Sequence, residues 1–408
     1  MDEKSVAVEA IRKKLVGKKL SYKEIYAIMD EISKDKLGDI LTTYFVASGY
    51  SEGFSDDELY YLTRAMAETG EHLEFKGIVA DKHSIGGVPG TRVTLILVPI
   101  IAAAGFKIPK SSSRAITTPA GTADVMEALA NVTFTKEQIY KIVSGTGGCI
   151  VWGGSFKIAP ADDEIIKIEE PLLFESYDKI VVSVMAKKVA FGATHVVIDL
   201  PYGTTVKIHR AEDAEILKRK FEFLGKKFGI KVRILIRRSE EPAGNGIGPL
   251  LEASDSLKVL EQTDDRPHKL EELAIETSGL LLSLCLEDAD KKTRDEFKKK
   301  NKDTKEWALE LLKSGKALAK FREILKAQGG NPNVSAKTLR LGKYSSIIKF
   351  ERNGKITKVS SKNITVITKI LGAPLDKQAG IFLFRRLREQ VSHSDPALQL
   401  FSDSEYRL

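Results

Sequence analysis

Two short segments hold the side chains best suited to grip an anion. The first is Asp81-Lys82-His83-Ser84-Ile85-Gly86-Gly87, which runs on to Gly90. Gly86, Gly87 and Gly90 let backbone approach a ligand closely, and the free amides at the start of a following helix attract negative charge. Lys82 adds a full charge, Ser84 a hydroxyl donor and His83 a titratable donor. The spacing matches neither GxxxxGK[ST] nor GxGxxG, so a nucleoside triphosphate or dinucleotide is disfavoured. The plain alternative is a tight strand-to-helix turn with exposed polar residues.

The second segment is Ser111-Ser112-Ser113-Arg114-Ala115-Ile116-Thr117-Thr118-Pro119-Ala120-Gly121-Thr122. Hydroxyl donors beside a guanidinium suit a bound phosphate; the plain alternative is a Ser/Thr loop with a helix cap. Two such loops at the ends of adjacent parallel strands would face one crevice.

The elements that must position these loops follow from periodicity. Residues 4–69 read as helical, with capping boxes at Ser21–Glu24 and Ser55–Glu58. From residue 76 the rhythm becomes strand, loop, helix. Gly77–Ala80 is expected as a strand, Thr94–Ala104 as an apolar helix, Lys107–Pro109 as a strand, and a helix from Thr122. The rhythm returns with strand Val196–Leu200, helix Ala211–Phe228 and strand Val232–Ile236. An apolar helix over Tyr177–Phe191 is expected to pack back on the N-terminal helices. Beyond Gly342, Ser345–Phe350, Ile356–Ser360 and Gly380–Phe384 read as short strands, with Asn353-Gly354 as a turn. The expected fold is α/β: a helical domain, a large α/β domain with a mostly parallel sheet, and a small C-terminal α+β domain. The expected boundaries are 1–70 completed by about 161–192, then 76–150 with 193–340, then 341–408.

Composition narrows the function classes. The chain has 408 residues, 42 % hydrophobic and 29 % charged, as in ordinary globular proteins. No apolar run is long enough for a membrane span, and the start Met-Asp-Glu-Lys lacks a secretory apolar core. The net charge of +8 lies largely between Lys291 and Lys326, with acids interleaved. That pattern predicts solvated faces of two helices rather than a nucleic-acid surface. Cys149 and Cys285 lack metal-ligand spacing, and the six histidines are scattered. No metal or cofactor is expected, and a reduced cytoplasmic compartment is the default.

The motifs resemble a known family. Asp81-Lys82-His83-Ser84-x-Gly86-Gly87, the Ser112–Thr122 loop and the helix ending Ala186-Lys187-Lys188 resemble the signatures of the nucleoside phosphorylase-II family, which includes thymidine phosphorylase. The likeness extends through nearly the whole chain. Thr146–Gly154, Ala159–Asp163, His195–Pro201 and Thr205-Val206-Lys207 are most similar to that family's archaeal AMP-splitting branch. The resemblance implies a homodimer joined through helical domains, with the site in the cleft between helical and α/β domains. It also implies an extra N-terminal domain and a longer C-terminal one, so a fragment or shortened member is expected.

By position, Lys82, Ser84, Thr94, Ser112 and Thr122 resemble the phosphate ligands. Gly87, Ser113, Arg114, Ala115, Ile116, Thr117 and Thr118 resemble nucleotide-contacting loops; Ser183, Lys187 and Lys207 resemble further nucleotide-binding positions. His83 resembles the histidine near the sugar. The arginine of pyrimidine phosphorylases is matched here by Ile168, which points away from thymidine. The aspartate proposed as proton donor is matched by Glu175, with Asp178 as a local rival.

The implied reaction is phosphorolysis of nucleoside 5′-monophosphates: AMP and phosphate give adenine and ribose 1,5-bisphosphate, with CMP and UMP as further substrates. Phosphate is a co-substrate, and Lys207, Arg114 and His209 are candidates for the 5′-phosphate. Rival expectations are a pyrimidine nucleoside phosphorylase, a phosphoribosyltransferase of related fold, and a nucleotide-binding module without turnover.

Overall fold

The computed structural model describes residues 3–115, 118–169 and 176–408. Helices α1 (Glu3–Leu15), α2 (Tyr22–Ser33), α3 (Asp39–Glu52) and α4 (Asp56–Glu68) open the chain. Then come β1 (Ala80–Ser84), α5 (Val93–Ala103), β2 (Ile108–Ser112), α6 (Thr122–Glu127), α7 (Lys136–Thr146), β3 (Gly148–Trp152), α8 (Pro160–Glu169) and α9 (Tyr177–Ala190). They are followed by β4 (His195–Tyr202), α10 (Ala211–Phe228), β5 (Lys231–Arg238), β6 (Gly246–Ile247), α11 (Pro249–Leu260), α12 (His268–Asp288), α13 (Lys291–Lys300), α14 (Thr304–Lys313) and α15 (Lys316–Ala327). The C-terminal part holds β7 (Tyr344–Lys349), β8 (Gly354–Lys355), α16 (Ser361–Leu371), β9 (Gly380–Leu383), β10 (Gln390–Val391) and β11 (Pro396–Ser402).

The chain divides into two compact units. The first comprises Met1–Val79, Gly153–Val196 and Glu215–Val232, and is helical. Ser21 and Ser55 cap α2 and α4 with full capping boxes, each serine accepting from the backbone of the glutamate three residues on. α9 packs against α4 and α8 against α2. Most of α10 also groups with this unit, which the boundaries expected from sequence do not allow for. The reason is visible in its contacts: Lys220 bonds Asp178 at 2.6 Å, and Phe228 stacks on Tyr60.

The second unit comprises Ala80–Trp152, Val197–Ala214 and Arg233–Leu408. Strands β2 and β3 pair in parallel, and β1, β4 and β5 form a ladder in that order. The ladder is parallel: Ile85 N donates to Asp199 O and Ser239 N to Tyr202 O, so strand ends meet strand ends. Ala80 N donates to Lys107 O, which sets β1 beside β2. Helix α5 is apolar all round, and Leu95 through Val98, Ile100 and Ile101 are fully buried, as a helix at the centre of a domain must be. A four-stranded sheet, β6-β9-β11-β7, closes the C-terminal part over a core of Ile364, Leu371, Ile381 and Leu400.

Several expectations need correction. The first strand begins at Ala80 rather than Gly77, so Asp81–Ser84 lies on a strand, not in a loop. The span Ile356–Ser360 is not a strand; Ser360 caps α16 instead, its side chain accepting from Asn363 N at 3.3 Å. Asn353-Gly354 does not close a hairpin, because β8 pairs with the distant β10. The basic stretch 291–326 forms three helices, not two. Ala308, Leu311, Leu312, Phe321, Ile324 and Leu325 are buried, so only part of it is solvated.

Candidate functional site

Alternation along β1 puts Lys82 and Ser84 on one face. Lys82 is 4 % exposed, and its Nζ makes no hydrogen bond or close ion pair among the described residues. Burial pushes its pKa down to about 8; nearby Asp199 opposes this, while Arg237 and Arg92 reinforce it. Asp81 shapes the strand end from below: its Oδ1 accepts from Lys82 N at 2.6 Å and faces buried Lys110 Nζ at 3.6 Å. Ser84 Oγ donates to Asp199 Oδ2 at 2.7 Å. Arg237, from β5, holds the same carboxylate through Nε and Nη2 at 2.8 and 3.0 Å. Three neighbouring strands thus contribute a lysine and serine, a carboxylate and an arginine. His83 is half-buried next to them.

The turn after β1 is shaped by close approach. A Cβ on Gly86 would collide with the Pro201 ring, and Gly90, at φ +64°, would set a Cβ 2.9 Å from Gly246 O. Lys207 lies beside this turn, its backbone N donating to Gly86 O at 3.1 Å.

The second loop leaves β2 at Ser112, whose buried Oγ has no hydrogen-bond partner among the described residues. Thr94, in the first turn of α5, is buried as well. A buried donor left unsatisfied costs about 1–3 kcal/mol unless a ligand meets it. Arg92 ties the parts together. It donates to Thr122 Oγ1 at 3.0 Å, to Ala120 O at 2.8 Å and to fully buried Glu252 at 2.8 Å. Asp124 accepts from Ala115 N and Gly121 N at 2.7 and 2.8 Å, and Thr118 Oγ1 donates to Ala120 O. Arg114 forks onto Glu127 at 2.6 Å twice, reaches Asp124 at 3.3 Å and stacks on Trp152. Its guanidinium therefore serves the loop's own architecture. Ile116 and Thr117 lie outside the described residues.

In the helical unit, Ser183 and Lys187 stand one turn apart on α9 and both meet Asp162 Oδ2, at 2.7 and 2.6 Å. Burial alone would raise the Asp162 pKa, but Lys187 and Lys179 outweigh it and the carboxyl sits below its ordinary range. Asp163, beside it, is pushed up to about 6, chiefly by burial. Asp178, the rival acid, is committed to Lys220 at 2.6 Å and Phe54 N at 3.2 Å. Glu175 lies outside the described residues. His209 is exposed.

The structure therefore brings Lys82, Ser84, Thr94, Ser112, Thr122, Ser113, Gly87 and Lys207 into one unit with the two loops, and places Ser183 and Lys187 in the other. The sequence reading missed Arg92, Asp199 and Arg237. Arg92 stands two residues after Gly90, a weak available signal; Asp199 and Arg237 gain meaning only once β4 and β5 lie side by side.

Comparison with known proteins identifies the family and the fold. Residues 76–318 match the model of the glycosyl transferase family, a/b domain, and residues 8–70 that family's helical bundle domain. The chain is 41 % identical over 406 residues to AMP phosphorylase 1 of Archaeoglobus fulgidus, covering 99 % of this chain and 78 % of that one. It is 42 % identical over 407 residues to the AMP phosphorylase of Methanococcus vannielii, covering 100 % and 78 %. Its fold is similar to that of anthranilate phosphoribosyltransferase from Thermus thermophilus, with a TM-score of 0.59 at 17 % identity, covering 79 % of this chain and 99 % of that one. The chain belongs to the glycosyl transferase family whose helical-bundle and a/b domains these matches describe.

Proposed function

We propose that the chain catalyses phosphorolysis of AMP, giving adenine and ribose 1,5-bisphosphate. The observation that carries this is buried Lys82 on β1, without an ion pair among the described residues, in a unit where the Ser112 hydroxyl also has no partner among them. The relatives named AMP phosphorylase supply the substrate. In the reaction a phosphate oxygen bonds to C1′ as the C1′–N bond breaks, and the electron pair leaves with the base. Lys82, Ser84, Thr94, Ser112 and Thr122 hold the attacking phosphate. Ser84 turns its hydroxyl from Asp199 to reach the phosphate; the other donors already stand in place to stabilise charge and orient the nucleophile.

Gly87, the loop from Ser113 to Thr118, Ser183, Lys187 and Lys207 contact the nucleotide, on the strength of resemblance. Glu175 gives the leaving base its proton, which requires a carboxyl kept protonated near neutral pH; His83 lies near the sugar. CMP and UMP are accepted as well, and no metal or cofactor takes part. The working state is a homodimer joined through the helical unit. The two buried free cysteines, whose pKa values burial pushes up to about 12, suit a reduced cytoplasm.

The test is incubation with AMP and inorganic phosphate, followed by chromatography for adenine and ribose 1,5-bisphosphate. Adenine released only when phosphate is present supports the reading. No release from AMP, with release from thymidine or uridine, replaces it with a pyrimidine nucleoside phosphorylase.

A further inference from the structure

AMP phosphorolysis sets two phosphate groups near one sugar, and each needs its own cation. Lys82 serves the inorganic phosphate. Among the arginines of this unit near the two loops, the hydrogen bonds separate structural ones from an available one. Arg92 spends Nε, Nη1 and Nη2 on Glu252, Thr122 and Ala120. Arg114 spends both terminal nitrogens on Glu127, with Nη1 also on Asp124. Arg237 differs. Asp199, only 1 % exposed, takes its Nε and Nη2, and that is one edge of the guanidinium. Nη1 has no partner among the described residues, and the side chain is 18 % exposed. An arginine pinned along one edge by a buried carboxylate presents its other edge in a fixed direction, and that fork matches a phosphate.

We propose that Arg237 is a specificity residue that binds the 5′-phosphate of the nucleotide. Asp199 is its anchor, and through Ser84 the same carboxylate links this cation to the inorganic-phosphate site. The charge balance fits. Asp81 is matched by Lys110 and Glu252 by Arg92, so the lysine–carboxylate–arginine group of Lys82, Asp199 and Arg237 keeps a net positive charge for anionic ligands. The proposal rests on the AMP reading above.

The experiment compares wild type, Arg237→Met and Arg237→Lys by calorimetry with AMP, adenosine and inorganic phosphate, each titrated separately. Wild type should prefer AMP to adenosine, and Arg237→Met should shrink that preference by about 30-fold or more, with phosphate affinity changing far less. Arg237→Lys keeps a charge against Asp199 but has no second edge, so it should also lose most of the preference. It decides the matter if the methionine variant does not fold. A retained AMP preference in a folded variant overturns the proposal. So does an equal loss for AMP and phosphate, which would make Arg237 a support of the phosphate loop. If wild type binds AMP but releases no adenine, the reaction assignment fails while the binding comparison still tests Arg237.

Discussion

Burying a lysine penalises its charged form, and burial pushes the Lys82 pKa down to about 8 from the ordinary 10.5. Between those values the unfolded chain holds the proton more tightly than the fold. This residue's contribution to stability therefore rises with pH across that window, while below about 8 both states are charged and the fold bears the burial cost. Phosphate binding works in the opposite sense, since the dianion needs the ammonium. The KM for phosphate should rise as pH is taken above about 8, and Lys82→Met should flatten that rise. The same variant should lose about 100-fold or more in kcat/KM, as when a fixed donor to a developing charge is removed. A KM that stays level through about pH 9 in wild type would rule Lys82 out as the phosphate cation. Lys82, Ser84 and Ser112 were legible as candidates because residue type and spacing announce an anion. Arg237 was not, because nothing local marks an arginine pinned along one edge.

At the scale of elements, the C-terminal sheet reaches back to the glycine-rich turn after β1. Strand β6 pairs with β9, and the segment just before it packs on Gly90: Gly244 N donates to Gly90 O at 2.8 Å and Ala243 N to Thr91 Oγ1 at 3.1 Å. Arg386 fixes that segment by donating to the carbonyls of Pro242 and Gly244. Gly90→Ala combines a left-handed backbone with a Cβ pressed against Gly246 O. It should cost about 2 kcal/mol of stability and raise the phosphate KM; a thermal melt and a phosphate titration check both. The sequence showed that glycines were needed here but not why, since the neighbour they admit comes from a distant part of the chain. The bounds of β1 depend on distant residues in the same way. The strand's register is set by pairing with β4, whereas the polar run Asp81-Lys82-His83-Ser84 looks like a loop when considered alone.

At the scale of the molecule, the helical unit exposes several large apolar side chains. Ile40 is 74 % and Tyr44 53 % exposed, one turn apart on α3, with Leu15 and Val16 exposed at the end of α1. If the homodimer is joined there, Ile40→Glu with Tyr44→Glu should halve the mass measured by light scattering and leave the circular dichroism unchanged. A wild type that is already monomeric, or a double variant that stays dimeric, removes this face from the assembly. By itself the sequence determined the helical start, the strand–helix alternation, the two segments proposed to bind anions and the family likeness. Each rests on local periodicity or on residue types packed into a short run. Only the tertiary structure decided that Asp81–Ser84 is a strand, that α10 groups with the helical unit, and that Arg92 and Arg237 take different roles. Those facts depend on partners far apart in the chain, whose choice is made by burial and pairing rather than by any neighbour in sequence.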